Sequence, residues 1–67
     1  MNLYPMELDE WQDRLYLESG DGVADIAVDV SECYDYDKGE WMEDELKKAA
    51  EEQAKHFFGA NTVIIWE

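Results

Sequence analysis

Between Glu40 and Phe58 the apolar positions recur at three- and four-residue steps. Met42, Leu46, Ala49, Ala50, Ala54 and Phe57 share one face with Gln53, and the intervening residues are strong helix formers. This spacing predicts a helix from Glu40 to Phe58, with Gly59 and Asn61 supplying the stop. Thr62-Val63-Ile64-Ile65-Trp66 follows as a β-branched run too short for a helix, and reads as a C-terminal strand. Upstream the period changes from 3.6 to 2. From Val23 to Val30, Ala24, Ile26, Val28 and Val30 fall on one side, and Asp25, Ala27 and Asp29 on the other, the pattern of a half-buried strand. Arg14 to Glu18 alternates as well, and the intervening Ser19-Gly20-Asp21-Gly22 is turn chemistry, so the two runs form a β-hairpin. Before Arg14 the reading divides between strand and helix, because Tyr4, Leu8, Trp11 and Leu15 keep helical spacing and Pro5 suits a first helical turn. A short helical turn over Pro5 to Trp11 is expected. Continuing the Val23–Val30 strand would turn Glu32 inward, which places a bulge or turn near Ser31 to Cys33.

These elements define a small α+β domain spanning residues 1–67. One long helix packs on a three-stranded, mainly antiparallel sheet in the order β-β-α-β, after a short N-terminal helical turn. A chain of this length buries only ~60% of the surface its unfolded form exposes. The hydrophobic content of 46%, with three tryptophans, four tyrosines and two phenylalanines, is nevertheless too high for a solvated tail. Cys33 is the only cysteine, so no internal disulfide reinforces the core and a reducing compartment fits. The N-terminal residues lack the basic-then-apolar order of a signal peptide, and nowhere do 18 apolar residues follow one another. A soluble protein of the cytosol is expected.

Charge changes the picture. The net charge is −13, and eleven acids between Glu18 and Glu45 face the single cation Lys38. Self-repulsion of that size opposes compaction, so its retention points to a partner, and the fitting partner is a basic surface. The commonest such surfaces bind nucleic acid. Many helix acids have a local explanation. Glu43, Asp44, Glu51 and Glu52 precede Lys47, Lys48, Lys55 and His56 by four, and the first-turn acids suit the macrodipole. Asp25 and Asp29 have none, because aspartate is depleted in strands and like charges on one face repel. One face of a strand repeats every ~6.6 Å, so these two, with Asp35 and Asp37 beyond them, would form a carboxylate row resembling a phosphate strand. Tyr34 and Tyr36, interleaved with Asp35 and Asp37, offer rigid contact area, with Trp11 as a further anchor. The candidate partner-binding residues are therefore Asp21, Asp25, Asp29, Glu32, Tyr34, Asp35, Tyr36, Asp37 and Glu40.

Other chemistries fit less well. Asp35-Tyr36-Asp37-Lys38-Gly39-Glu40 has the start of a calcium loop, but Glu40 stands where its sixth-position glycine belongs and Leu46 where its twelfth-position glutamate belongs. Paired carboxylates acting on sugars need a deep cleft. A thiol among acids has its pKa moved the wrong way for a nucleophile, and His56 suits the helix C-terminus. Direct nucleic-acid binding would set the acids against phosphates. No cofactor and no metal ligand set is expected.

In size, acid excess, the Asp25/Asp29 row and α+β pattern, the chain resembles the small phage-encoded anti-CRISPR proteins that act as DNA mimics. That resemblance lies in overall character and rests on no shared motif. It implies a non-enzymatic inhibitor occupying the DNA- or guide-binding surface of a CRISPR effector subunit, in a type I surveillance complex, within the host cytosol. The competing expectations are an antitoxin-like protein neutralising a basic toxin, a carboxylate-based metal-dependent hydrolase, and an acidic protein adapted to high salt.

Overall fold

The computed structural model describes Met1–Trp66. Three strands run in sequence, β1 (Asn2–Asp9), β2 (Arg14–Ser19) and β3 (Asp25–Asp29), each antiparallel to the one before. A 3-10 turn at Ser31–Cys33 ends this meander, and a small hairpin follows, β4 (Tyr34–Asp35) with β5 (Glu40–Trp41). Helix α1 (Glu43–Phe58) then leads to β6 (Val63–Ile64), which pairs parallel with β1. The main sheet is thus four-stranded and mixed, in the order β3-β2-β1-β6, beside a two-stranded sheet. Among the described residues no helix is long and apolar enough to cross a membrane.

The α+β class and the hairpin of Arg14–Glu18 with Val23–Val30 agree with the sequence reading. So does the turn at Ser31–Cys33. The N-terminal helical turn is overturned, because Pro5 to Asp9 is strand and Glu10–Asp13 is a tight turn. The cause is a bulge: Pro5 sits opposite Leu17 but Glu7 opposite Tyr16, leaving Met6 as the extra residue. Leu3 and Pro5 face inward before it and Leu8 after it, so a shifted period of two mimics helical spacing. Ile65 donates its N–H to the Leu3 carbonyl, and Pro5 lies past that last contact with β6, where its missing N–H leaves no gap in the ladder. Asp9 completes the turn by accepting the N–H groups of Trp11 and Gln12, and Asp13 takes the left-handed conformation (φ 54°) that aspartate tolerates.

The same correction enlarges the sheet, because β1 joins the three expected strands as a fourth. The sheet is mixed rather than antiparallel because the C-terminal strand is reached through α1, and this helical crossover brings it back parallel to β1. The helix starts at Glu43, three residues later than its periodicity suggests, because Glu40 and Trp41 pair with Asp35 and Tyr34.

The core comprises Leu3, Leu15, Leu17, Val28, Val30, Cys33, Ala50, Ala54 and Ile64. Ala50 and Ala54 are fully buried, so the helix backbone lies close to the sheet. Leu46, Ala49, Phe58, Trp41 and Trp66 pack at the margin, whereas Phe57, expected inside, is 71% exposed. At the helix end Gly59 (φ 110°) donates its N–H to the Lys55 carbonyl. Two of the expected helix pairs have other partners: Glu51 accepts the Trp66 indole N–H at 3.2 Å, and the Lys47 ammonium lies 5.8 Å above the Trp66 ring.

Candidate functional site

The nine candidate residues lie on successive segments from the β2–β3 loop to β5, and their roles divide. Asp25 and Asp29 stand exposed on the outer face of β3, as the alternation requires, while Val28 is buried behind them. Asp25 lies opposite Glu18 on β2, a like-charged pair, and Asp29 lies opposite Arg14. Asp29 also accepts the Ser31 N–H at 2.9 Å. That bond, the Ser31 side chain and more distantly Arg14 hold the Asp29 carboxyl below the usual range.

Beyond Asp29 the 3-10 turn breaks the strand, and Asp35 and Asp37 fall in the second sheet. The row of carboxylates therefore stops at Asp29. Asp35 accepts the N–H groups of Asp37 and Lys38, shaping the β4–β5 turn that Gly39 closes with φ 67°. Asp21 plays the same part in the β2–β3 loop. It accepts the Ser19 hydroxyl at 2.6 Å and the Val23 N–H at 3.1 Å, which lower its pKa in that order. Asp21, Asp29 and Asp35 are therefore turn-forming as well as acidic.

Two concave regions gather the rest. The larger, about 670 Å³, lies between the 3-10 turn and α1, and Asp29, Glu32, Glu45 and Glu52 line it, with Lys48 as the one cation among the described residues there. Cys33 lies buried at its base. Burial first, then Glu45, Glu32 and Asp29, push the thiol pKa up and keep it protonated. The smaller, about 370 Å³, brings Tyr34, Tyr36 and Trp41 against Glu10 and Asp13. Tyr34 meets both other rings edge-on, with centroids 5.0 Å from Tyr36 and 5.1 Å from Trp41, and Trp41 donates its indole N–H to Glu10 at 3.2 Å. Asp37 and Glu40 face solvent in the second hairpin.

Glu10, Asp13, Trp41, Glu45 and Glu52 complete these two regions and were not among the candidates. Glu45 and Glu52 had sufficient local explanations in the helix, and the pairing of Trp41 with Glu10 spans 31 residues, beyond any local spacing signal.

The open edge of β3 is managed by the helix. Gln53 accepts the Asp29 N–H at 3.0 Å and donates to the Asp29 carbonyl at 2.6 Å, so one side-chain amide does the work of a neighbouring strand. This fixes the groove wall that carries Asp29. Among the described residues, no three His, Cys, Asp or Glu side chains converge as a metal-binding set. No family model, curated protein or solved structure matches the chain.

Proposed function

We propose that the protein is a non-enzymatic inhibitor that presents carboxylates where nucleic acid presents phosphates, occupying a lysine- and arginine-rich surface and excluding nucleic acid by competition. The observation that carries this reading is the placement of the acids. Asp25, Asp29, Glu32, Asp37, Glu40, Glu45 and Glu52 all face solvent on successive elements from the edge strand through the second hairpin to the helix, and Asp29, Glu32, Glu45 and Glu52 line one groove. A net charge of −13 along a 37 Å axis is about one charge per 3 Å, against one per ~1.7 Å for duplex DNA. The long axis is close to the ~34–36 Å of one duplex turn. Charge of this density steers association with a basic groove and sets its rate. The target class implied by resemblance is the DNA- or guide-binding subunit of a type I CRISPR surveillance complex.

The test is DNA binding by a purified type I surveillance complex, followed by fluorescence anisotropy as this protein is added. Competition is expected, with an association rate that falls steeply as the Debye length shrinks from ~10 Å at 0.1 M salt to ~3 Å at 1 M. DNA binding unaffected by excess protein removes this target. An association rate indifferent to salt, for any target captured from host lysate, removes the mimic mechanism itself.

A further inference from the structure

The recess between the β1–β2 turn and the β4–β5 hairpin is chemically one-sided. Its walls are three aromatic rings and two carboxylates, and among the described residues no lysine or arginine lines it. Ring faces carry the negative end of the aromatic quadrupole, so a cation lying on an exposed ring face is attracted in the same sense as by the carboxylates. An anion is repelled, and an apolar group would strip water from Glu10 and Asp13 without replacing it. A cation satisfies both kinds of wall.

Resting on the reading that the partner is basic, we infer that this recess takes the guanidinium of one partner arginine, stacked on Tyr36 and Trp41 and donating to Asp13 and Glu10. Guanidinium fits better than ammonium because it is planar, weakly hydrated and forked. It can stack and donate two hydrogen bonds at once, whereas an ammonium gives up a tighter hydration shell. Access fits the assignment, since Tyr36 is 81% exposed. The Trp41 indole is held by Glu10 Oε1, which leaves that carboxylate's other oxygen for the ligand. The recess thereby supplies specificity that the diffuse carboxylate surface lacks, with one arginine setting the register of the docked face.

The experiment is a titration of the intact protein with N-acetyl-arginine amide, N-acetyl-lysine amide and N-acetyl-norleucine amide, followed through the Trp41 indole N–H signal by NMR. The arginine probe should give a saturable shift, the lysine probe a weaker one, and the norleucine probe none. Tyr36→Ala, at an exposed position, should weaken the arginine probe about two- to fivefold, and Asp13→Asn should weaken it as well. Equal binding of the lysine probe, no saturable shift, or a shift unchanged in Y36A overturns the assignment. Failure here with competition against DNA intact removes the arginine recess alone. Probe binding without any such competition removes the surveillance-complex target, probe binding with salt-indifferent association to a captured target removes the mimic reading, and both leave the recess standing.

Discussion

The Gln53 clamp on the edge strand gives a sharp quantitative test of how this fold is held. Gln53→Ala removes two hydrogen bonds, to the N–H and the carbonyl of Asp29. A typical intramolecular hydrogen bond contributes ~0.5–1.5 kcal/mol net, and water can reach this edge, which favours the lower half of that range. Alanine returns a few tenths of a kcal/mol in helix propensity. The expected loss is about 1 kcal/mol, which for a domain of this size lowers Tm by roughly 4–8 °C. Hydrogen exchange locates the effect. The Asp29 amide should lose protection, while the Val30 amide, bonded to the Asp13 carbonyl, keeps its own. Gln53→Glu separates the clamp from simple bulk. Its carboxylate still accepts the N–H but sets an oxygen against the Asp29 carbonyl, so at pH 7 it should destabilise at least as much as alanine. Protonation restores a donor. The Q53E carboxyl therefore titrates higher folded than unfolded, and its contribution is fully present below the ordinary glutamate value of ~4.3 and lost as pH rises through the higher folded value. Thermal melts of both variants within a degree or two of the parent, or an Asp29 amide still protected in Q53A, would refute the reasoning.

Asp25→Asn removes a like charge facing Glu18 and should leave Tm equal or higher, whereas Asp29→Asn removes the charge facing Arg14 and should lower it. Melts at low ionic strength should show the difference and molar salt should shrink it. Because hydrogen bonding holds Asp21 and Asp29 below the usual aspartate range, their contribution is complete above ~3.9 and is lost as pH falls through the lower folded values. Denaturant melts of Asp21→Asn should accordingly show a shallower acid limb than the parent, and an identical limb would exclude this origin. Cys33, buried and raised by its acidic surroundings, should react with a thiol reagent at pH 8 at least about tenfold more slowly folded than in denaturant, and equal rates would place the thiol at the surface.

Elements with an uninterrupted period were legible in the chain. The alternation at Ala24–Val30 determined which face of β3 is buried, and the Leu46–Ala54 spacing determined which face of α1 meets the sheet, because each period is a local property of the backbone. The net charge and its concentration between Glu18 and Glu45 were equally local facts. Where one residue interrupts a period, locality fails. The bulge at Met6 moved Leu8 onto the inner face and made a strand resemble a helix, and only pairing with β2 resolves it. The same limit governs the site. That Asp29 ends the carboxylate row, that Gln53 closes its edge, and that Glu10 and Asp13 meet Tyr34, Tyr36 and Trp41 are contacts between residues far apart in the chain. Such contacts follow from how the turns and the second hairpin pack, and no spacing along the sequence encodes them.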